Sequence, residues 1–317
     1  MIFSQELISR ACAANAWFTP TFVTERLQEV WKGWTHRPAP QKSMRLTHLG
    51  LVAAGNIPLV CWHDLLCVYV ATPSQGVPVM LEIKLSGKDR VLLPEVWARL
   101  EQTQAAPTCL RVQFVDQLSD SVQAILFTGG QQAEAAFRAQ YPGTPLLART
   151  SRTSVAVLDG TESEAQLEGL AYDCFSFFGL GCRNVTTLWV PQAYDFSAFL
   201  RAVARATAAG GRLADLASHQ GFRNAYRHAR AVAQLADEPF TDGGVCLLQP
   251  SADLFPPMAV LHYSSYTSLA QVGAFLNAQA QEIQCVVGRQ IAFGQAQFPL
   301  FTQYADGINT LEWLQKL

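Results

Sequence analysis

The chain has 317 residues, half of them apolar and 15% charged, with a formal net charge of -2. That composition supports a large buried core divided between two lobes and excludes a disordered tail. The small net charge, without any Lys/Arg cluster, leaves no electrostatic footprint for nucleic acid or an anionic membrane. The opening Met1-Ile2-Phe3-Ser4-Gln5-Glu6 lacks the basic start and apolar run of an export signal. Eight cysteines (12, 61, 67, 109, 174, 182, 246 and 285) occur without a CxxC pair or regular spacing. This argues against a disulfide framework or a zinc site and fits a reducing cytoplasm. The most apolar window, Leu49 to Ala71, is broken by Asn56, Pro58, His63 and Asp64 and does not read as a membrane span.

In chain order, residues 5–14 and 21–34 read as helices, the second following Thr19-Pro20. Thr35 to Ser43, with Pro38 and Pro40, reads as a loop. Leu46 to Ala54 is a strand-like run ending in Gly55-Asn56-Ile57-Pro58, and Trp62 to Ala71 is helical. Val79 to Lys84, Cys109 to Val115 and Val122 to Thr128 read as strands, with a helix across Lys88 to Glu101 and another from Gly129-Gly130 through Arg138. Strands alternating with helices at this spacing predict parallel βαβ units, in which ligands sit at the carboxyl ends of strands. Gly55-Asn56, Lys84-Leu85-Ser86 and Thr128-Gly129-Gly130 all fall at such ends.

Beyond Arg149 and Arg152, Val155 to Leu158 reads as a strand and Glu162 to Phe178 as a helix. Then comes Phe178-Gly179-Leu180-Gly181-Cys182-Arg183-Asn184-Val185, followed by the strand Thr186 to Val190. Gly179 and Gly181, just before it, leave Cys182 accessible, and the Arg183 guanidinium after it favours its thiolate. Pattern alone admits a nucleophile or a small buried residue in a turn. Asn184-Val185-Thr186 matches a glycosylation triplet and is read as chance. Helices follow near 196–208 and 213–235, strands near 244–249 and 258–262, a helix over 268–280 and a strand from Ile283 to Val287. Cys285 reads as core and His63 as a structural histidine.

Several of these blocks carry a likeness. Ala53 to Val60 followed by His63-Asp64, Lys84-Leu85-Ser86 with Asp89, Arg152 to Gly160, and the block around Cys182 resemble the LuxC-type acyl-CoA reductases. So do Phe293-Gly294-Gln295-Ala296-Gln297 and Tyr304-Ala305-Asp306-Gly307. More widely, the chain is similar to the aldehyde dehydrogenase superfamily. The resemblance implies an α/β architecture, with a Rossmann-like cofactor-binding lobe and N-terminal helices over residues 1–150. It implies an α/β catalytic lobe over 151–295 and a C-terminal segment, 296–317, packing against either, with the active site between the lobes.

It further implies NADPH-dependent reduction of an acyl-CoA, or of an acyl group on a donor protein, to an aldehyde. Cys182 matches the nucleophile and Asn56 the oxyanion donor. Lys84 matches the contact to the adenosine ribose or its phosphate, with Ser86 beside it, and Thr128, Gly129 and Gly130 match the turn beside the cofactor. Arg149, Arg152 and Arg183 are candidates for substrate or cofactor phosphates. Where the family has Thr-Gly-Ser and two asparagines, this chain has Thr128-Gly129-Gly130-Gln131-Gln132. That departure keeps open a cysteine acyltransferase or thioesterase without nicotinamide, and the short chain keeps open a non-catalytic pathway partner. No metal is implied, and a homodimer stays open. The aldehyde-oxidising members use a glutamate base upstream of the cysteine; Leu146 to Ser154 here holds no carboxylate, which favours the reductive direction.

Overall fold

A computed structural model describes residues 3–40, 44–103 and 109–317. Part of the loop expected over Thr35 to Ser43 therefore lies outside the described residues. The chain forms two compact units: residues 1–151 together with 300–317, and residues 152–299.

The first unit opens with α1 (Gln5–Ala14) and α2 (Pro20–Thr35). Thr19 caps α2 and Pro20 takes its first position, where a missing N–H costs nothing. Then come β1 (His48–Val52), α3 (Trp62–Ala71), β2 (Val79–Lys84), α4 (Leu92–Gln102), β3 (Leu110–Val115), β4 (Ala124–Thr128), α5 (Gln131–Gln140) and β5 (Leu146–Arg149). The sheet is parallel throughout, in the order β3-β2-β1-β4-β5. Its central strands are buried on both faces, so they read as apolar runs without alternation. Trp34 is almost fully buried, with Tyr69 and Trp97 ring centroids 4.5 and 6.4 Å away, which locks α2, α3 and α4 together.

The second unit runs β6 (Thr153–Val157), α6 (Glu164–Phe175), β7 (Val185–Pro191), α7 (Ser197–Thr207), α8 (Ala214–Ser218), α9 (Gln220–Leu235), β8 (Thr241–Asp242), β9 (Leu247–Pro250), β10 (Val260–Tyr266), α10 (Leu269–Ala278) and β11 (Ile283–Val287). Its sheet is ordered β11-β6-β7-β10-β9-β8, parallel except for the β8–β9 pair. The chain then returns to the first unit, where α11 (Thr310–Lys316) buries Leu311 and Leu314. None of the described helices is long and apolar enough to cross a membrane.

Three elements differ from expectation for local reasons. α4 starts at Leu92 rather than Lys88, because Ser86 to Asp89 closes a turn through the Asp89 N–H and the Ser86 carbonyl. The helix expected over 213–235 is two, because His219 is extended and its Nδ1 accepts the Phe222 N–H to begin α9. The helix expected through Phe178 ends at Phe175, followed by a tighter turn over Ser176–Gly179. Strand β5 has only four residues, too few to show a period.

Candidate active site

In the first unit the chain works outward from β1 to β3 and restarts on the other side with β4. The strand order therefore reverses between β1 and β4, where open α/β sheets bind ligands at their carboxyl edge. Asn56 follows β1, Lys84 and Ser86 end and follow β2, and Thr128, Gly129 and Gly130 lead from β4 into α5. Asn56, Lys84, Ser86, Thr128 and Gly129 are half-buried and Gly130 is exposed.

The loop bearing Asn56 is held from several sides. The Asn15 side-chain amide donates to the Gly55 and Lys88 carbonyls at 3.3 and 3.0 Å. Arg26 donates to the Pro58 carbonyl at 3.2 Å. Buried Asp89 accepts the Leu59 and Leu92 N–H groups at 3.3 and 3.2 Å, and burial pushes its carboxyl above the ordinary value despite those bonds. A Cβ on Gly55 would lie 2.9 Å from both the Asp89 nitrogen and the Ser86 hydroxyl, so the two loops can touch only through glycine. Asn15 and Arg26 carry no motif that sequence reading could have flagged.

This edge fits a nucleotide phosphate. α5 begins at Gly130 with no side-chain cap, and a Cβ at Gly130 would meet open space. A ten-residue helix presents its first-turn N–H groups and positive dipole end there. Lys84 has no ion-pair partner among the described residues. Gln131 and Gln132, the departure from the family pattern, occupy the first two helical positions.

The second unit builds the setting of Cys182. After α6 the backbone turns through two left-handed non-glycine residues, Phe177 (φ 51°) and Phe178 (φ 60°), and then Gly179 (φ 75°). Such residues cost on the order of 1–2 kcal/mol each and persist only where the surroundings impose them. Asn184 does so. Its fully buried amide nitrogen donates among the carbonyls of Asp173, Cys174 and Ser176 at 3.0, 3.3 and 2.9 Å, the orphan acceptors at the end of α6. Its Oδ1 accepts the Gly181 N–H at 2.8 Å, while the Asn184 N–H bonds the Gly181 carbonyl at 3.0 Å. Cys182 and Arg183 thus form the tip of a four-residue turn, tied to β6 by the Ser154 hydroxyl donating to the Cys182 carbonyl at 3.0 Å. Burial of Asn184 also removes its glycosylation triplet from any modifying enzyme once the chain has folded.

Cys182 is half-exposed, whereas six of the eight cysteines are buried. Burial pushes the thiols of Cys61, Cys67, Cys174, Cys246 and Cys285 upward, away from thiolate chemistry. Cys285 is core, its sulfur 3.1 Å from the Ser154 hydroxyl.

Each of the three arginines offered as phosphate contacts bonds a main-chain carbonyl. Arg149 is 5% exposed, donates to the Ala305 carbonyl and Thr310 hydroxyl at 2.7 and 2.8 Å, and pairs with Asp64 at 3.6 Å. It anchors the C-terminal segment. Arg152 reaches the Ala280 and Ile283 carbonyls at 3.4 and 3.5 Å, and Arg183 the Ala296 carbonyl at 3.2 Å. His63 bonds the Phe301 carbonyl at 2.8 Å, a structural contact. Glu162 precedes the Ser163 cap of α6 rather than joining its first turn, and accepts the Asp159 N–H at 2.6 Å.

Asp173 is the acid that sequence reading missed. Its carboxylate accepts the Gly294 and Ala296 N–H groups at 2.6 and 3.0 Å, docking residues 294–296 against α6. Gly169, one turn earlier, permits the approach, since a Cβ there would sit 2.9 Å from the Gly294 nitrogen. Burial pushes Asp173 from 3.8 up to about 7. The folded state then holds a proton that the unfolded state releases, so stability is greatest below the unfolded value and falls as pH rises towards the folded one. In urea titrations the wild type is expected to lose stability between about pH 4 and 7 relative to Asp173→Asn. Parallel profiles would show that this carboxyl is not desolvated.

No protein-family model and no curated protein matches the sequence. Solved structures do. A Mycobacterium tuberculosis aldehyde dehydrogenase complexed with NAD+ superposes with TM-score 0.59 at 15% identity, over 86% of this chain and 66% of that one. A mutant of Pseudomonas syringae aldehyde dehydrogenase C, complexed with NAD+ and octanal, gives 0.59 at 11% identity over 89% and 67%. The indole-3-acetaldehyde dehydrogenase AldA of P. syringae, as a mutant in complex with NAD+ and IAA, gives 0.54 at 12% identity over 76% and 56%. The chain has an aldehyde-dehydrogenase-like fold. It spans 56% to 67% of the length of these three aldehyde dehydrogenases. At these identities the likeness is one of fold, and the chemistry has to be argued from the side chains themselves.

Proposed function

We propose that this chain reduces an acyl-CoA thioester to the aldehyde with NADPH, through an acyl group carried on Cys182, as in the LuxC-type acyl-CoA reductases. The observation that carries the reading is the half-exposed Cys182 at the tip of a turn whose every anchor is buried or hydrogen-bonded, in a chain that buries most of its other thiols.

The Cys182 thiolate forms a bond to the thioester carbonyl carbon, the carbon–sulfur bond to CoA breaks, and CoA leaves as its thiol after taking a proton. NADPH, when bound, supplies the hydride that converts the acyl thioester to a thiohemiacetal. Breaking the Cys182 sulfur–carbon bond then frees the aldehyde and restores the thiolate. Both tetrahedral stages place negative charge on the former carbonyl oxygen. The Cys182 backbone N–H and the Asn56 amide are the donors proposed to meet it. Lys84, Ser86, Thr128, Gly129 and Gly130 are proposed to hold the cofactor, the helix start taking its phosphates. Leu146 to Ser154 holds no carboxylate, so this segment offers no base for hydrolytic water, which favours reduction of the acyl group.

The test is anaerobic incubation with acyl-CoAs of graded length and NADPH, following dihydronicotinamide absorbance and aldehyde. Both should change in equal amounts. Release of CoA with no nicotinamide consumed would replace this reading with an acyltransferase or thioesterase. Asn56→Ala should lower kcat about 10²–10³-fold with little change in KM. An unchanged kcat would remove Asn56 from the chemistry.

A further inference from the structure

Residues 152–299 contain nine arginines and no lysine. Several are committed: Arg152 and Arg183 to carbonyls, Arg205 to Glu164 and Glu168, Arg230 to Asp242 and Arg212 over the Tyr172 ring. Arg223 and Arg227 differ. Both are exposed and lie one helical turn apart on α9, and their side chains have no hydrogen-bond or ion-pair partner among the described residues. Two like charges at that spacing repel, which is unfavourable unless an anion joins them.

They line a groove of about 440 Å³, with Phe222, Tyr226 and the Gly244–Val245 turn, a volume within the range of small-molecule sites. The nearby carboxylate is already spent: Asp242 takes the Tyr226 hydroxyl at 2.6 Å on one oxygen and Arg230 at 3.0 Å on the other. The groove therefore keeps its positive charge. Two guanidinium forks beside an aromatic ring match a phosphorylated adenine nucleotide, since arginine pairs bidentately with phosphate and aromatic faces stack with purines. A physical link leads from the groove to the proposed nucleophile. The Phe222 ring packs 5.8 Å from Phe178, the strained residue four positions before Cys182, and Phe178 lies 4.4 Å from His219, the cap of α9.

We propose that Arg223 and Arg227 bind a ribose phosphomonoester of an adenine nucleotide, and that its source is the 3′-phosphate end of the CoA donor; the choice of donor rests on the function proposed above. The 2′-phosphate of NADPH has the same chemistry and is the competing source.

The experiment uses the full chain, wild type and Arg223→Ser/Arg227→Ser, with calorimetric titration of CoA, dephospho-CoA and adenosine 2′,5′-bisphosphate. CoA should bind the wild type and bind the double variant at least about tenfold more weakly, with a shallower salt dependence. Dephospho-CoA should bind both proteins alike. Arg223→Lys/Arg227→Lys, which keeps charge but loses the fork, should recover part of the affinity. Both substitutions lie on an exposed helix face, and matching thermal unfolding shows that the fold is kept. CoA binding that ignores the arginines, or no CoA binding to the wild type, overturns the proposal. So does loss confined to the 2′,5′-bisphosphate, which would give the groove to the cofactor. Acylation of Cys182 by an N-acetylcysteamine thioester, which has no nucleotide, tests the parent reading separately: its failure sinks that reading and leaves the groove result standing.

Discussion

Cys182→Ala is expected to fold normally and to lose turnover by about 10⁴-fold or more. The side chain is half-exposed, and the anchors of its turn run through the Gly181 N–H and the Cys182 carbonyl, which alanine keeps. Stability should therefore change by less than about 1 kcal/mol. Intact mass after exposure to acyl-CoA without NADPH should show one added acyl group in the wild type and none in the variant. Cys285→Ala supplies the contrast, because that thiol is buried and burial pushes it away from ionisation. Its protein should acylate like the wild type. An adduct persisting in Cys182→Ala would assign the nucleophile to another residue.

Asn184→Ala should be the most damaging single change to the architecture of the same loop. It strips the acceptor from the half-buried Gly181 N–H and the donor from three buried carbonyls at the end of α6. Each buried group left unmatched costs about 1–3 kcal/mol, and part of that relaxes, so a loss of roughly 3–5 kcal/mol is expected. Asn184→Asp separates hydrogen bonding from volume. It preserves shape but turns an acceptor-only group towards three carbonyl oxygens, so it should destabilise at least as much as alanine. Urea unfolding of both variants decides the matter. A loss below about 1 kcal/mol for Asn184→Asp would mean that shape, not donation, holds the loop.

Much of the fold was legible because it lives in local pattern. Helix Trp62–Ala71 and strands Val79–Lys84 and Ile283–Val287 were read with the bounds they have. Two of the errors share a cause: a side chain overruled the periodicity, as His219 splits one helix and Asn184 stops another. The candidate site residues stand out in the sequence where a motif ends a strand or brackets a thiol, as at Gly55-Asn56 and Gly181-Cys182-Arg183. Their supports do not. Asn15 acts 40 residues from Gly55 and Asp173 acts 121 residues from Gly294, and neither partnership leaves a trace in spacing. The carbonyls that Arg149, Arg152 and Arg183 reach, at Ala305, Ala280 and Ala296, are equally invisible in spacing. A charged residue beside a motif looks available until its distant carbonyl is seen.

Because residues 152–299 intervene between the two pieces of the first unit, that unit cannot complete itself as the polypeptide is being made. Arg149, with Asp64, must wait for Thr310 and Ala305 to leave the ribosome before its charge is fully matched. At ordinary translation speed that delay is roughly 10–30 s. Over that interval the half-finished unit holds an ionised guanidinium with too few companions, while the intervening unit has its entire sequence in hand first. Nascent-chain maturation should therefore run out of numerical order, the middle of the protein closing ahead of its beginning.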